Sequence, residues 1–151
     1  MKLSDTGLRR IGQAEGLRLV AYKDRGGVWT IGYGHTGPEV GEGLTCTPQQ
    51  ALEWLRGDAA WASAAADRHV AVPLAQDQYD ILVCFVFNVG ETQFARSNLL
   101  RKLNDADYAG AAAELSRWVH NETGAVDPDL VARRAVERSI FERDIEGPLR
   151  A

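Results

Sequence analysis

The sequence predicts an α+β protein: a small N-terminal β-hairpin lobe, a larger helical C-terminal lobe, one long helix joining them and a cleft between. Three observations carry that prediction. Residues 17–23 and 28–34 alternate, are rich in Val, Ile, Tyr and Trp, and flank the turn "DRGG", so they read as a hairpin. Residues 47–50, "TPQQ", place a Thr cap, a Pro at the first helical position and a Gln three residues past the cap, a full capping box. Residues 77–89 are apolar nearly all round, the mark of a buried central helix.

Each element has its own signal. Residues 4–15 read as a short helix, because Leu8, Ile11 and Glu15 fall at i, i+3 and i+7, with Gly16 as the stop. The segment "GHTGPEVGEG" is a Gly-rich loop, followed by a third short strand at 43–46. The capped helix runs on through "DAAWASAAADRHV" to about residue 69. The central helix ends at Gly90, and "SNLLRKL", "DYAGAAAELSRWV" and "DPDLVARRAVERSIFERD" supply further helices, the last with Asp127 as N-cap and Pro128 at its first position. The whole chain, 1–151, reads as a single domain. Its N-terminal helix is 4–15, its β-containing lobe about 16–57 and its helical lobe about 70–151.

Bulk composition excludes several classes. A net charge of −4 gives no general grip on nucleic acid. Cys46 and Cys84 are too few for a disulfide framework and read as inert, buried thiols in a reducing compartment. The three histidines, His35, His69 and His120, lack the spacing of metal ligands, so no metal and no cofactor is expected. The N-terminus has no apolar leader core, and the longest apolar run, residues 81–87, is too short to span a bilayer. Synthesis and folding in cytoplasm follow as the expectation.

The hairpin segment carries the chemistry. Glu15 stands on an apolar stripe at the negative end of a helix, where the protonated form is favoured near neutral pH. Asp24 lies in an open Gly-rich turn and stays ionised. Thr30 points away from the face shared by Trp29 and Ile31. A protonated acid and an ionised carboxylate across a cleft suit glycoside hydrolysis, and a nearby hydroxyl suits the holding of a water. Each residue alone is ordinary; the set of three is not.

The spacing Glu15-x8-Asp24-x5-Thr30, carried on "EGLRLVAYKD…TIGYGH", closely resembles the catalytic segment of phage-type lysozymes, the endolysins that cut bacterial peptidoglycan. "FVFNVGE" at 85–91, "SNLLRKLN" at 97–104, "SRW" at 116–118 and "LVARRAVERSIF" at 130–141 are similar to that family's later motifs, in the same order. The resemblance implies a lysozyme-like fold. It implies a catalytic triad of Glu15 as general acid, with Asp24 and Thr30 positioning the attacking water.

It implies supporting roles as well. His35 would pair with Asp58 on the linking helix and tie loop to helix. Arg133 would approach Glu15 from across the cleft, with Arg134 the alternative if the register shifts by one. Phe87 would line the sugar groove, Asn88 would hydrogen-bond beside it, and Ser97 would cap a helix and touch substrate. A substrate-contacting Asn of some members falls on Ala112 here, a departure from the pattern. The net acidity is a second departure, since many cell-wall lysozymes are basic.

A lytic transglycosylase, which cuts the same bond with one Glu and no water, is the nearest rival; Asp24 and Thr30 in register favour hydrolysis. A wall-binding module without activity would be expected to lose Glu15 or Asp24. A helical DNA-binding protein with a β-wing lacks its basic recognition helix here. The partners implied are peptidoglycan glycan strands, acted on by a monomer after a holin has breached the membrane; neither nucleic acid nor membrane insertion is expected of this chain.

Overall fold

The computed structural model describes residues 1–146. In chain order the elements are α1 (Asp5–Glu15), β1 (Arg18–Lys23), β2 (Trp29–Gly32), α2 (Pro48–Asp58), α3 (Ala60–His69), α4 (Gln76–Val89), α5 (Glu91–Arg96), α6 (Asn98–Asn104), α7 (Tyr108–Leu115) and α8 (Pro128–Glu146). Residues 147–151, counted with the helical lobe on sequence grounds, lie outside the described residues.

Polar anchoring sets α1 in place. The Ser4 hydroxyl accepts the Gly7 amide at 3.0 Å and donates to buried Asp80 of α4, which also takes the Ser4 amide at 3.0 Å and Gln76 Nε2 at 2.8 Å. Gly7 packs so closely on Asp80 that a Cβ there would lie 2.7 Å from its carboxyl carbon. Leu8 and Ile11 are buried behind this contact. The N-terminal end of the helix is thereby registered on α4.

The hairpin pairs Arg18 with Gly32, Tyr22 with Thr30 and Lys23 with Trp29, with an irregularity between the first two pairs. The third strand expected at 43–46 reduces to one bridge pair, Val20 with Thr45. Ala21 donates to Leu44 at 2.9 Å and Cys46 to Leu19 at 2.9 Å, and no more. Gly43, at φ +84°, brings the chain onto β1 only at Leu44.

The capping box at Thr47 is present, its hydroxyl accepting Gln50 N at 3.1 Å while Gln50 returns a bond to Thr47 N at 2.9 Å. The single long joining helix is not. The chain breaks step at Ala59 (φ −88°, ψ −4°), so α2 and α3 follow each other with a one-residue interruption. Gly57, which lowers helix preference by about 1 kcal/mol relative to Ala, stands two residues before the break. Downstream, α4 is buried along Gln78–Val86, with α1, α3 and α8 packed around it. Phe85, Phe94, Leu99, Leu103 and Phe141 fill the core on its flanks. The short helix α5, between Gly90 and Ser97, has no counterpart among the sequence-predicted elements. Among the described residues no helix is long and apolar enough to cross a membrane.

Candidate active site

Glu15 occupies the last turn of α1 and is exposed. The apolar stripe read from Leu8 and Ile11 stops one turn earlier, because by Glu15 the helix has run past the core. The sequence-based environment of Glu15 is therefore corrected: open surface, not an apolar pocket. What holds it is the turn that follows β2. Ile31 and His35 exchange backbone hydrogen bonds at 2.9 and 2.8 Å, and the intervening Gly32 and Gly34 take positive φ, a conformation open to glycine. The Tyr33 ring in that turn lies against Gly12, where a Cβ would approach it to 3.0 Å. This seats the end of α1 on the turn and leaves Glu15 Oε2 3.8 Å from where a Cβ on Gly34 would be.

Asp24 closes the hairpin. Its Oδ1 accepts the amides of Gly26 at 2.8 Å and Val28 at 2.9 Å, the self-bonding that suits Asp to turns. Among the described residues no group bonds to its Oδ2. Thr30 is 4% exposed, and its hydroxyl donates to the Val28 carbonyl at 3.0 Å. That commits the proton and leaves the lone pairs of Oγ1. Val28 thus joins the two: its amide goes to Asp24 and its carbonyl takes the Thr30 proton.

His35 is bonded on both ring nitrogens. Nδ1 lies 2.8 Å from Asp58 Oδ2 and Nε2 lies 2.7 Å from Glu39 Oε1, while the ring stacks on Trp54 at 4.7 Å. Burial acts to lower its pKa, but the two carboxylates outweigh burial and raise it above the ordinary 6.5. The loop is thereby tied to α2. Glu39 and Trp54 were not singled out from sequence, although Glu39 stands at i+4 from His35 in a turn, which is a readable spacing.

Two recesses flank these groups. The larger, about 1070 Å³, runs from Arg25 beside Asp24 to Asn88, Arg117, Trp118, His120 and Arg134 of the helical body. Its far wall is a tight loop closed by Asp127 N to Val119 O at 2.8 Å, with Asn121 Oδ1 accepting three bonds within it. The smaller, about 460 Å³, is lined by Gln13 and Ala14 next to Glu15, by Cys84 and by Arg133. Asp127 and Leu130 line both.

The arginines divide. Arg134 is 1% exposed, with Nε on Trp118 O at 2.9 Å, Nη1 on Glu137 at 2.6 Å, Nη2 on Asn88 Oδ1, and its guanidinium 4.9 Å from the Phe85 ring centre. Burial lowers its pKa against the opposing pull of Glu137. Arg133 is half-buried, reaching Cys84 O at 3.5 Å and Glu137 at 3.5 Å. Neither bonds to Glu15 among the described residues, but Arg133 shares the groove of Gln13 and Ala14. Asn88 lines the large cleft, held by Arg134. Ser97 is 8% exposed with both hydroxyl capacities used, on Phe94 O at 2.7 Å and from Leu100 N at 3.0 Å. Phe87 is half-buried and stacks on Trp61 of α3, a residue that sequence reasoning missed. The two thiols are buried or half-buried, and burial pushes Cys84 up to about 12.

A two-stranded hairpin on a mainly helical body is the architecture of lysozyme-fold proteins, and the comparisons place the chain in the lysozyme class of enzyme. The phage lysozyme family model matches residues 12–137, and the chain belongs to that family. An endolysin of Acyrthosiphon pisum secondary endosymbiont phage 1 is 43% identical over 145 residues, 94% of this chain and 99% of that protein. The crystal structure of a P22 lysozyme mutant superposes with a TM-score of 0.88 at 38% identity, covering 94% of this chain and 99% of that one. The muramidase domain of SpmX from Asticaccaulis excentricus gives 0.83 at 38% identity over 93% and 97%. The activity of this chain is cell-wall lysis.

Proposed function

We propose that the protein is an endolysin hydrolysing the β-1,4 bond between N-acetylmuramic acid and N-acetylglucosamine, with inversion at the anomeric carbon. It acts on the host wall at the end of a phage cycle, reaching it from the cytoplasm through a membrane lesion made by a holin. Glu15 is the general acid. It hands its proton to the leaving glycosidic oxygen, and a sugar chain laid over this exposed carboxyl excludes the water around it. Asp24 and Thr30 hold the water on the opposite face of the ring. One proton of that water faces Asp24 Oδ2, which takes it as the water oxygen bonds the anomeric carbon and the glycosidic bond breaks, and the other faces the lone pairs of Thr30 Oγ1.

The observation that carries this reading is the division of labour around Val28. Asp24 Oδ1 is committed to the turn and the Thr30 proton to a carbonyl, which leaves one carboxylate oxygen and one hydroxyl oxygen as acceptors. Two acceptors and no donor are what a nucleophilic water requires. Arg133, in the groove beside Glu15, orients the acid's flank, Asn88 in the large cleft bears on the sugar, and Phe87, next to it in the chain and stacked on Trp61, does the same by family resemblance. Ser97 contributes through its cap, which sets the start of α6 beneath the cleft.

Inverting glycosidases keep their carboxyls roughly 6.5–9.5 Å apart to admit a water, against about 5–5.5 Å for direct attack. NMR of freshly digested peptidoglycan tests the mechanism, and the α-anomer should appear first. A β-anomer would mean that Asp24 attacks the sugar itself. A 1,6-anhydro end would mean that no water takes part and that the enzyme is a lytic transglycosylase.

A further inference from the structure

Helix α3 reads "AWASAAADRH", one large aromatic among alanines, and that residue is not in the core. Trp61 is 44% exposed. Its ring stacks on Phe87 with centroids 5.9 Å apart and planes inclined by 25°. Three and four residues further along α3 stand Ala64 and Ala65, and across the break at Ala59 the positions three and four residues back are Asp58 and Gly57. Three of the four have no side chain beyond Cβ, so nothing long folds over the indole from its own helix. Lone exposed apolar residues are common and need no account. An indole held by one aromatic neighbour and left uncovered by three small ones is a different arrangement.

Its position is also particular. The first turn of α3 meets the last turn of α4 at Phe87, and the two residues that follow Phe87, Asn88 and Val89, line the large cleft. Three residues before Trp61, α2 ends at Asp58, which anchors His35 and the hairpin. We infer that Trp61 is a glycan-binding residue: with Phe87 it forms a stacked aromatic platform that extends the cleft and takes the apolar C–H face of one pyranose ring. This rests on the reading of the cleft as a glycan site. The occupant is the uncharged sugar face, because such a face needs an open, flat π surface and no counter-ion.

The test uses the full chain carrying Glu15→Gln, so that strands bind without being cut, titrated calorimetrically with purified peptidoglycan glycan strands freed of peptides. Adding Trp61→Ala should weaken binding roughly tenfold, the loss typical of truncating an aromatic anchor, with the melting temperature nearly unchanged. Trp61→Phe or Trp61→Tyr should recover most of the affinity. Trp61→Leu, which keeps apolar bulk beside Phe87 without a π face, should bind as weakly as Trp61→Ala. Affinity unchanged in Trp61→Ala, or restored equally by Leu and Phe, would overturn the platform and leave the cleft reading standing. A parent protein that binds no strands would overturn the cleft reading, and the platform with it.

Discussion

The hairpin end and the helical body are held by different forces. Around α4 the body is stabilised by burial, and even the charged Arg134 is sealed at 1% exposure among a carbonyl, a carboxylate and a ring. The hairpin has little of this: Leu17, Leu19, Val20 and Val28 stay largely exposed. Its shape is kept by the Asp24 turn, the two-glycine reversal at 31–35 and the clamp on His35. The groups proposed to carry the chemistry thus stand, buried Thr30 apart, where polar geometry sets position. Activity and stability should be separable in this protein, and separable in opposite directions at the two ends.

Arg134→Met should give the largest stability loss. Removing one partner of a buried ion pair costs about 3–5 kcal/mol; here it leaves Glu137 with Arg133 alone, at 3.5 Å, and takes the side-chain donor from the Trp118 carbonyl. Chemical denaturation measures it; a loss below half that would place Arg134 with the surface charges. Thr30→Val sits between the two regimes, being buried yet polar. The Val28 carbonyl keeps the Asp24 amide as a donor, so the stability loss should be about 1 kcal/mol, while misplacing the water should cost about 10²-fold in kcat. Equal proportional losses of fold and turnover would make Thr30 a packing residue only.

The smallest effect belongs to the clamp. The folded-state pKa of His35 is raised, so its stabilisation is fully present below the unfolded value near 6.5 and fades as pH rises through the folded one. Asp58→Asn should therefore cost more stability at pH values below about 6.5 than at alkaline pH. Thermal melts across that range check the sign, and equal losses throughout would remove the charged clamp from the account.

How much of this was legible in the sequence follows the same division. Signals that act locally came through: the capping box at Thr47, the all-apolar run of α4, the DRGG turn and the Asp127–Pro128 start of α8. Interactions closed by tertiary packing did not. Nothing in the periodicity of α1 says that the core ends at Ile11, so Glu15 was placed in an apolar setting that the fold does not provide. The second carboxylate on His35 depends on how the loop returns, and the Trp61–Phe87 stack on the first turn of α3 packing beside the last turn of α4. The triad itself was singled out through the family resemblance and the unlike settings of its members, with spacing alone too weak to choose it.

The most direct test of the central claim, that chemistry and stability reside in different groups here, is Glu15→Gln followed by two readings on one preparation. Gln keeps the shape of the exposed side chain and removes the acid. Clearing of outer-membrane-permeabilised Gram-negative cells should fall by about 10²–10⁴-fold, the usual contribution of a general acid, while the thermal midpoint stays at the wild-type value. Lysis at a near wild-type rate, or a lost fold in place of lost activity, would contradict the account.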